Sequence, residues 1–304
     1  LQIYLEHGIN RLSLGLQSPQ NRELKILGRI HTWEEFQESF FMARDAGFSN
    51  INIDLMSAIP EQTYADWEKN LRTVAGLSPE HISAYSLIIE EGTPFGERKL
   101  KLPDEDTEYR MYEDTAGILE EYGFHQYEIS NYAKGGRECR HNKGYWQRID
   151  YLGLGLGASS LLDHMRFSNT ADMKEYIGNS AFPDKIRQNM ESLTEADEMA
   201  EFMFLGLRMT EGVSMEAFAE YFGKNMENVY GEVLKNILEI GMLEQKGDRI
   251  YLSRKGIHVS NGVMAVFSAV ENLSIFHLDE RMFWQYTDKK SEVLQRNKRG
   301  RFCC

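Results

Sequence analysis

Within eight residues the chain carries a thiol, an imidazole and two large aromatic rings: Cys139, His141, Tyr145 and Trp146. Sulfur and imidazole both bind iron, and aromatic rings can flank a planar macrocycle. A loop in which the histidine and tryptophan only pack against their surroundings would use the same residues, and their chemistry alone leaves both readings open. Asp54 sits in the β-rich run NIDL at residues 52–55, where a carboxylate at a strand tip is costly unless it meets a ligand or a partner. A helix cap or a loop hydrogen bond would also satisfy it. Gln17 and Arg29 are ordinary alone, a glutamine ending a strand and an arginine on a helix; their interest is their order ahead of Asp54. The run GLGLGA at residues 153–158 fits the dinucleotide pattern G-x-G-x-x-A, yet irregular polar residues precede it where that site needs a strand. A close backbone approach to a ligand or to another segment suits its glycines better.

The elements that must hold these residues alternate along the chain. Residues 10–17 interleave apolar and polar side chains and run into Gln17, Ser18 and Pro19, as a strand feeding a turn does. Thr32 and Glu35 form a capping-box pair ahead of a helix in which Trp33, Phe36, Phe40 and Phe41 keep helical spacing until Gly47. A strand at 51–56, a helix at 63–77, a strand at 81–89, a helix at 104–123 and a strand at 125–129 follow. Strands separated by helices imply crossover connections, hence a parallel sheet with helices outside it and ligands at the C-terminal strand ends. Residues 130–157 lose periodicity and concentrate glycine, arginine, histidine and aromatics, the composition of a functional segment. From residue 192 the pattern turns helical, with a Thr194–Asp197 cap, helices at 213–222 and 225–241, and a strand at 249–253. That order predicts a small winged-helix module ending near Phe267.

Composition narrows the function. A net charge of −13 opposes a phosphate backbone, and the helix 225–241, the recognition helix of such a module, sets Glu227, Glu232 and Glu239 against Lys235. Nucleic acid is therefore not an expected partner. Three cysteines, two of them the adjacent Cys303 and Cys304, exclude a disulfide framework and a closed four-cysteine metal site. No apolar run approaches the roughly 18 residues of a membrane span, and no secretory leader is visible, so the cytoplasm is the expected compartment. The first seven residues read as the end of a helix, which makes Leu1 the expected interior of a longer chain.

The motifs NRLSLGLQS (10–18), LGRIH (27–31), AGF (46–48), NIDL (52–55), IPEQT (59–63), HISAY (81–85), YEISN (127–131), CRHN (139–142) and YLGLG (151–155) follow one another in order. In these the chain resembles the HemW family of radical-SAM heme chaperones and, less closely, their relatives the oxygen-independent coproporphyrinogen III dehydrogenases. The resemblance runs to about residue 267. It implies an α/β fold: a partial TIM-like radical-SAM barrel, later strands only, followed by a small winged-helix-like α+β module. The expected divisions are 1–130 for the C-terminal part of the barrel, 131–190 for the heme-signature and glycine-rich segment packed on it, 191–267 for the winged module, and 268–304 without assignment. The resemblance also implies that Gln17, Arg29, Asp54 and the backbone at Ile88 contact S-adenosyl-L-methionine (SAM). Arg29 suits its carboxylate and Asp54 its ribose hydroxyls. The His-Asn-x-x-Tyr-Trp signature, here His141, Tyr145 and Trp146, is implied to receive heme, with His141 on the iron.

Two departures from the family pattern bear on function. Where the family often has Gly-Ala-His-Ser, this chain has Gly157, Ala158, Ser159 and Ser160. The Cys-x3-Cys-x2-Cys motif that holds a [4Fe–4S] cluster in the intact family protein does not occur, and Cys303 with Cys304 lacks its spacing. In the family that motif lies ahead of the position of Leu1. The expected function is a carrier that binds heme at His141 and passes it to acceptor proteins, with SAM and a cluster bound by the intact protein and no catalytic residue assigned. The alternative is a dehydrogenase that forms a 5′-deoxyadenosyl radical and oxidatively decarboxylates coproporphyrinogen in porphyrin biosynthesis, which leaves the heme signature unexplained; whether the chain is an enzyme stays undecided. An inert product of a truncated reading frame is the third reading. The acceptor, a peripheral membrane association through it, and a homodimer all stay open.

Overall fold

The computed structural model describes residues 1–90 and 92–268; the unassigned stretch from 269 onward lies outside them. The chain forms two compact units that divide between Cys139 and Arg140.

The first unit runs α1 (Gln2–Glu6), β1 (Leu12–Gln17), α2 (Asn21–Ile26), α3 (Trp33–Asp45), β2 (Ile51–Ser57), α4 (Tyr64–Gly76), β3 (His81–Ser86), α5 (Glu105–Glu120), β4 (His125–Glu128) and β5 (Asn131–Ala133). Capping boxes at Thr32 with Glu35 and at Thr63 with Asp66 fix the starts of α3 and α4. β1, β2 and β3 lie side by side and parallel, as their helical crossovers require. The expectation of parallel strands throughout is corrected beyond β3. Only Ile129 and Ser130 separate β4 from β5, too few for a crossover, so the two strands fold as an antiparallel hairpin and β5 inserts between β3 and β4. The third strand also stops at Ser86 and not at residue 89. Because β5 belongs to this sheet, the segment expected from residue 131 has its first residues in the first unit and the rest, from Arg140, in the second.

Strand periodicity gives the sheet two unlike faces. Leu12, Leu14, Leu16, Ile51, Ile53, Leu55, Ile82 and Tyr132 point into a core shared with Phe36 and Phe40 of α3, Trp67 and Leu71 of α4, and Leu119 of α5. The opposite face carries Ser13, Asn52, Asp54, His81, Ser83 and Asn131.

The second unit runs α6 (Arg140–Trp146), β6 (Ser159–Leu162), β7 (Met165–Asn169), α7 (Met173–Asn179), α8 (Pro183–Ile186), β8 (Arg187–Ser192), α9 (Glu195–Gly206), β9 (Val213–Ser214), α10 (Met215–Phe222), α11 (Met226–Glu239), β10 (Leu243–Lys246), β11 (Arg249–Leu252), α12 (Arg254–His258) and α13 (Ser260–Phe267). β6, β7 and β8 form an antiparallel sheet. Thr194 and Asp197 cap α9 reciprocally, and α9, α10, α11 and α13 pack through Phe202, Phe218, Phe222, Tyr230 and Phe267. The wing is the β10–β11 hairpin, to which β9 adds a third strand. The helix expected from 213 begins at Met215, because Val213 and Ser214 pair with β11 and the Ser214 hydroxyl caps α10. Among the described residues no helix is long and apolar enough to cross a membrane.

Candidate functional site

The polar face of the first sheet is a connected network. Asn52 Nδ2 donates to Asp54 Oδ1 and to Ser13 Oγ, both at 2.7 Å, and Ser13 Oγ donates to Asp54 Oδ2 at 3.3 Å. Asn52 Oδ1 is thereby an acceptor, and His81 Nδ1, 2.6 Å away, must carry the proton. His81 Nε2 then accepts from the Tyr127 hydroxyl at 2.8 Å, whose oxygen accepts the Cys139 amide at 3.3 Å. Burial, with the nearby Arg11 charge adding, pulls the His81 pKa down to about 3, so the ring is neutral. Burial also pushes the Tyr127 phenol up.

Asp54 is the charged end of this network and is partly open to solvent. Its register partner on β1 is Gly15, which places no side chain beside the carboxylate. Gln17, at φ 73° beyond a register shift in β1, folds its amide back to 3.1 Å from where a Gly15 Cβ would stand. The structure thus brings Gln17 and Asp54 to one end of the face. Arg29 is exposed after α2 and makes no ion pair among the described residues. Ile88 is 75% exposed, two residues past the end of β3. A carboxylate steadied by Ser13 and Asn52 and open beside a glycine fits hydroxyl donors such as those of a ribose, and an unpaired guanidinium fits a carboxylate. An iron–sulfur cluster does not fit: among the described residues no group of three His, Cys, Asp or Glu side chains is arranged to hold a metal ion, and Cys139 is a buried single thiol.

On α6, His141 and Tyr145 are four residues apart, hence on one helical face, and their rings meet edge to face at 4.6 Å. Tyr145 meets Tyr151 in the same way, also at 4.6 Å. The His141 ring is exposed, and no hydrogen bond engages its nitrogens among the described residues. Trp146 lies about 100° further round the helix. Its ring sits under the Arg208 guanidinium at 4.3 Å, with Nε1 buried and unpartnered. The expected trio is therefore divided: His141 and Tyr145 together, Trp146 turned to another neighbour.

Sequence reasoning did not find what holds the end of α6. Arg148, at φ 54°, reaches two glutamates of α9: Nη2 to Glu198 at 3.3 Å and Nε to Glu201 at 3.0 Å. Arg166 of β7 adds a 2.6 Å pair to Glu201, and His164 Nδ1 lies 2.5 Å from Glu198. The hydrogen bond to Glu198, reinforced by its charge, raises the His164 pKa. A cavity of about 280 Å³ beside them is lined by Arg148, Asp150, Leu161, Asp163, His164, Glu198 and Tyr221. The one signal in the sequence was Glu198 and Glu201 at helical spacing among the Met, Ala and Phe residues of α9.

Comparison with known proteins follows this division. Residues 1–74 match the Radical SAM superfamily and residues 193–259 match the HemN C-terminal domain. The chain is 38% identical over 271 residues to the heme chaperone HemW of Bacillus subtilis (strain 168), covering 88% of this chain and 72% of that protein. It is 36% identical over 271 residues to the heme chaperone HemW of Lactococcus lactis subsp. lactis (strain IL1403), covering 88% and 71%. Among solved structures it is similar to coproporphyrinogen III oxidase (HemN) from Escherichia coli, described as a radical SAM enzyme, with a TM-score of 0.73 at 20% identity. That alignment covers 88% of this chain and 66% of the other, so the chain spans just under two thirds of that structure. The likeness shows the fold, a partial radical-SAM α/β barrel followed by the C-terminal module.

Proposed function

Because this chain belongs to the HemW family of radical-SAM heme chaperones, we propose that it serves as a heme carrier, holding heme at α6 and passing it to acceptor proteins in the cytoplasm. Membership of the radical SAM superfamily implies SAM and a [4Fe–4S] cluster in the intact protein. SAM would lie against the polar face, with Asp54 accepting its ribose hydroxyls, Gln17 beside it, Arg29 on its carboxylate and the backbone at Ile88 along its edge. When bound with a cluster it supplies one-electron chemistry; the residues of this chain bind and orient it.

The observation that carries the carrier reading is the exposed His141 ring, whose nitrogens have no protein partner among the described residues and whose plane is steadied by Tyr145. An imidazole in that state is ready to bind heme iron without first breaking an internal bond. Trp146 contributes by anchoring α6 under Arg208. Dehydrogenation of coproporphyrinogen would leave this histidine without a use.

The test is a hemin titration followed by Soret absorbance, run beside His141→Ala. Saturable binding at about one heme per chain, lost in the variant, is expected; equally weak binding by both proteins overturns the reading.

A further inference from the structure

Residues 152–156 put three leucines into water: Leu152, Leu154 and Leu156 are 55%, 84% and 41% exposed. The segment is nonetheless tightly built. Gly153 N–H donates to Ser160 Oγ at 2.9 Å, Gly155 N–H to the Tyr176 hydroxyl at 3.1 Å, and Gly157 N–H to the Thr170 carbonyl at 3.0 Å. Asn169 Nδ2 donates to the carbonyls of both Gly153 and Gly155, at 3.2 and 2.8 Å. With those backbone groups turned inward, the leucines between the glycines are left outward. Two of the glycines are obligatory: a Cβ at Gly153 would stand 2.2 Å from the Ser159 oxygen, and Gly155 has φ +112°. A segment fixed this firmly, with apolar side chains held in solvent, is a surface made to meet something apolar.

We infer that this loop is the wall that receives the porphyrin face of heme, an inference that rests on the carrier reading of His141. The occupant follows from continuity. The loop starts at Tyr151, whose ring meets Tyr145, whose ring meets His141, so ring contacts lead from the proposed iron ligand to the first residue of the segment that carries the leucines. Residues 151–162 carry no charged side chain, matching the uncharged face of the macrocycle. The iron-binding centre and the flat apolar body of heme thus each have a counterpart in adjoining segments, and the loop sets affinity for the ring system while His141 sets ligation of the metal.

The experiment compares wild type, the triple variant Leu152→Ser/Leu154→Ser/Leu156→Ser, and His141→Ala, titrated with hemin and with iron-free protoporphyrin IX. The triple variant is expected to bind both probes about tenfold more weakly or worse, with the Soret position of bound hemin unchanged because His141 is intact. Protoporphyrin IX, which has no iron to ligate, is expected to bind His141→Ala as it binds wild type. Ile30→Ser, a fully exposed apolar residue outside that segment, changes neither titration. The milder Leu154→Gln, with circular dichroism of each protein, separates lost contact from lost folding. Wild-type affinity of the triple variant for both probes overturns the proposal, including the case in which sedimentation shows that the leucines instead join two copies of the chain. Undiminished hemin binding by His141→Ala together with loss in the triple variant would remove the ligand reading and leave the wall standing.

Discussion

Acid should loosen the first unit through His81. The ring has 0% exposure and both nitrogens are committed, Nδ1–H to Asn52 and Nε2 to the Tyr127 hydroxyl. A second proton has no place unless Tyr127 reverses its bond. The folded pKa of about 3 lies below the ordinary value of 6.5, with burial the main cause and Arg11 the second. Between those two values only the unfolded chain binds the proton. The stability tied to the neutral ring is therefore complete above about pH 6.5 and falls with acidification by about 1.4 kcal/mol per pH unit. The loss amounts to about 2 kcal/mol at about pH 5 and levels off only near the folded pKa. Urea denaturation of wild type and His81→Gln across about pH 7.5 to 4.5 isolates the effect, because the other histidines cancel in the difference. The variant should be less stable at neutral pH and lose less on acidification. Parallel pH profiles for the two proteins, or an NMR titration placing folded His81 near its ordinary pKa, would refute the reasoning.

Two further outcomes follow from the second unit. Glu201→Ala removes the carboxylate that the Arg148 and Arg166 side chains, 7% and 16% exposed, share and should cost about 3–5 kcal/mol in urea denaturation. Replacing Arg148, Arg166 and Glu201 together by methionine should cost less than that single change, since no guanidinium is then stranded. Gly153→Ala forces a methyl to 2.2 Å from the Ser159 oxygen, so the loop must shift away from Ser160 and Asn169 at about 1–3 kcal/mol, read as a lowered Tm. Gly178→Ala, in open space on α7, is the matched control and should hold or raise Tm.

The alternating elements of the first unit were legible because each rests on local signals: Thr32 with Glu35, Gly47, and the β-rich runs at 51–56 and 81–89, the second of which pairs only as far as Ser86. The insertion of β5 was not. Three residues, Asn131 to Ala133, have no periodicity to show, and their pairing with β3 is a long-range choice. The same holds for α6, whose seven residues are too short for a clear helical pattern and include Gly144. Of the candidate site, Asp54 was visible as a charge closing an apolar strand, and His141 as part of a dense motif. The polar face around Asp54 was hidden because His81 and Ser83 lie on β3, apart from Asn52 and Asp54 on β2, and the two pairs become neighbours only through register: Asn52 opposite His81 and Asp54 opposite Ser83. Arg148 and its glutamates were hidden for a similar reason, 53 residues separating Arg148 from Glu201.

The hydrogen bonds on the polar face have a common sense of direction. From the Cys139 amide through the Tyr127 hydroxyl, the His81 ring and the Asn52 amide, each group gives its proton to the next, and the sequence terminates on the Asp54 carboxylate. Such head-to-tail chains polarise one another, so a negative charge at the receiving end orients all the members behind it. Asp54 is in this respect the pole of a compass. A molecule that donates its hydroxyls to that carboxylate draws on the same negative charge, and the weakening propagates back to the amide of Cys139, the residue next to the first of α6.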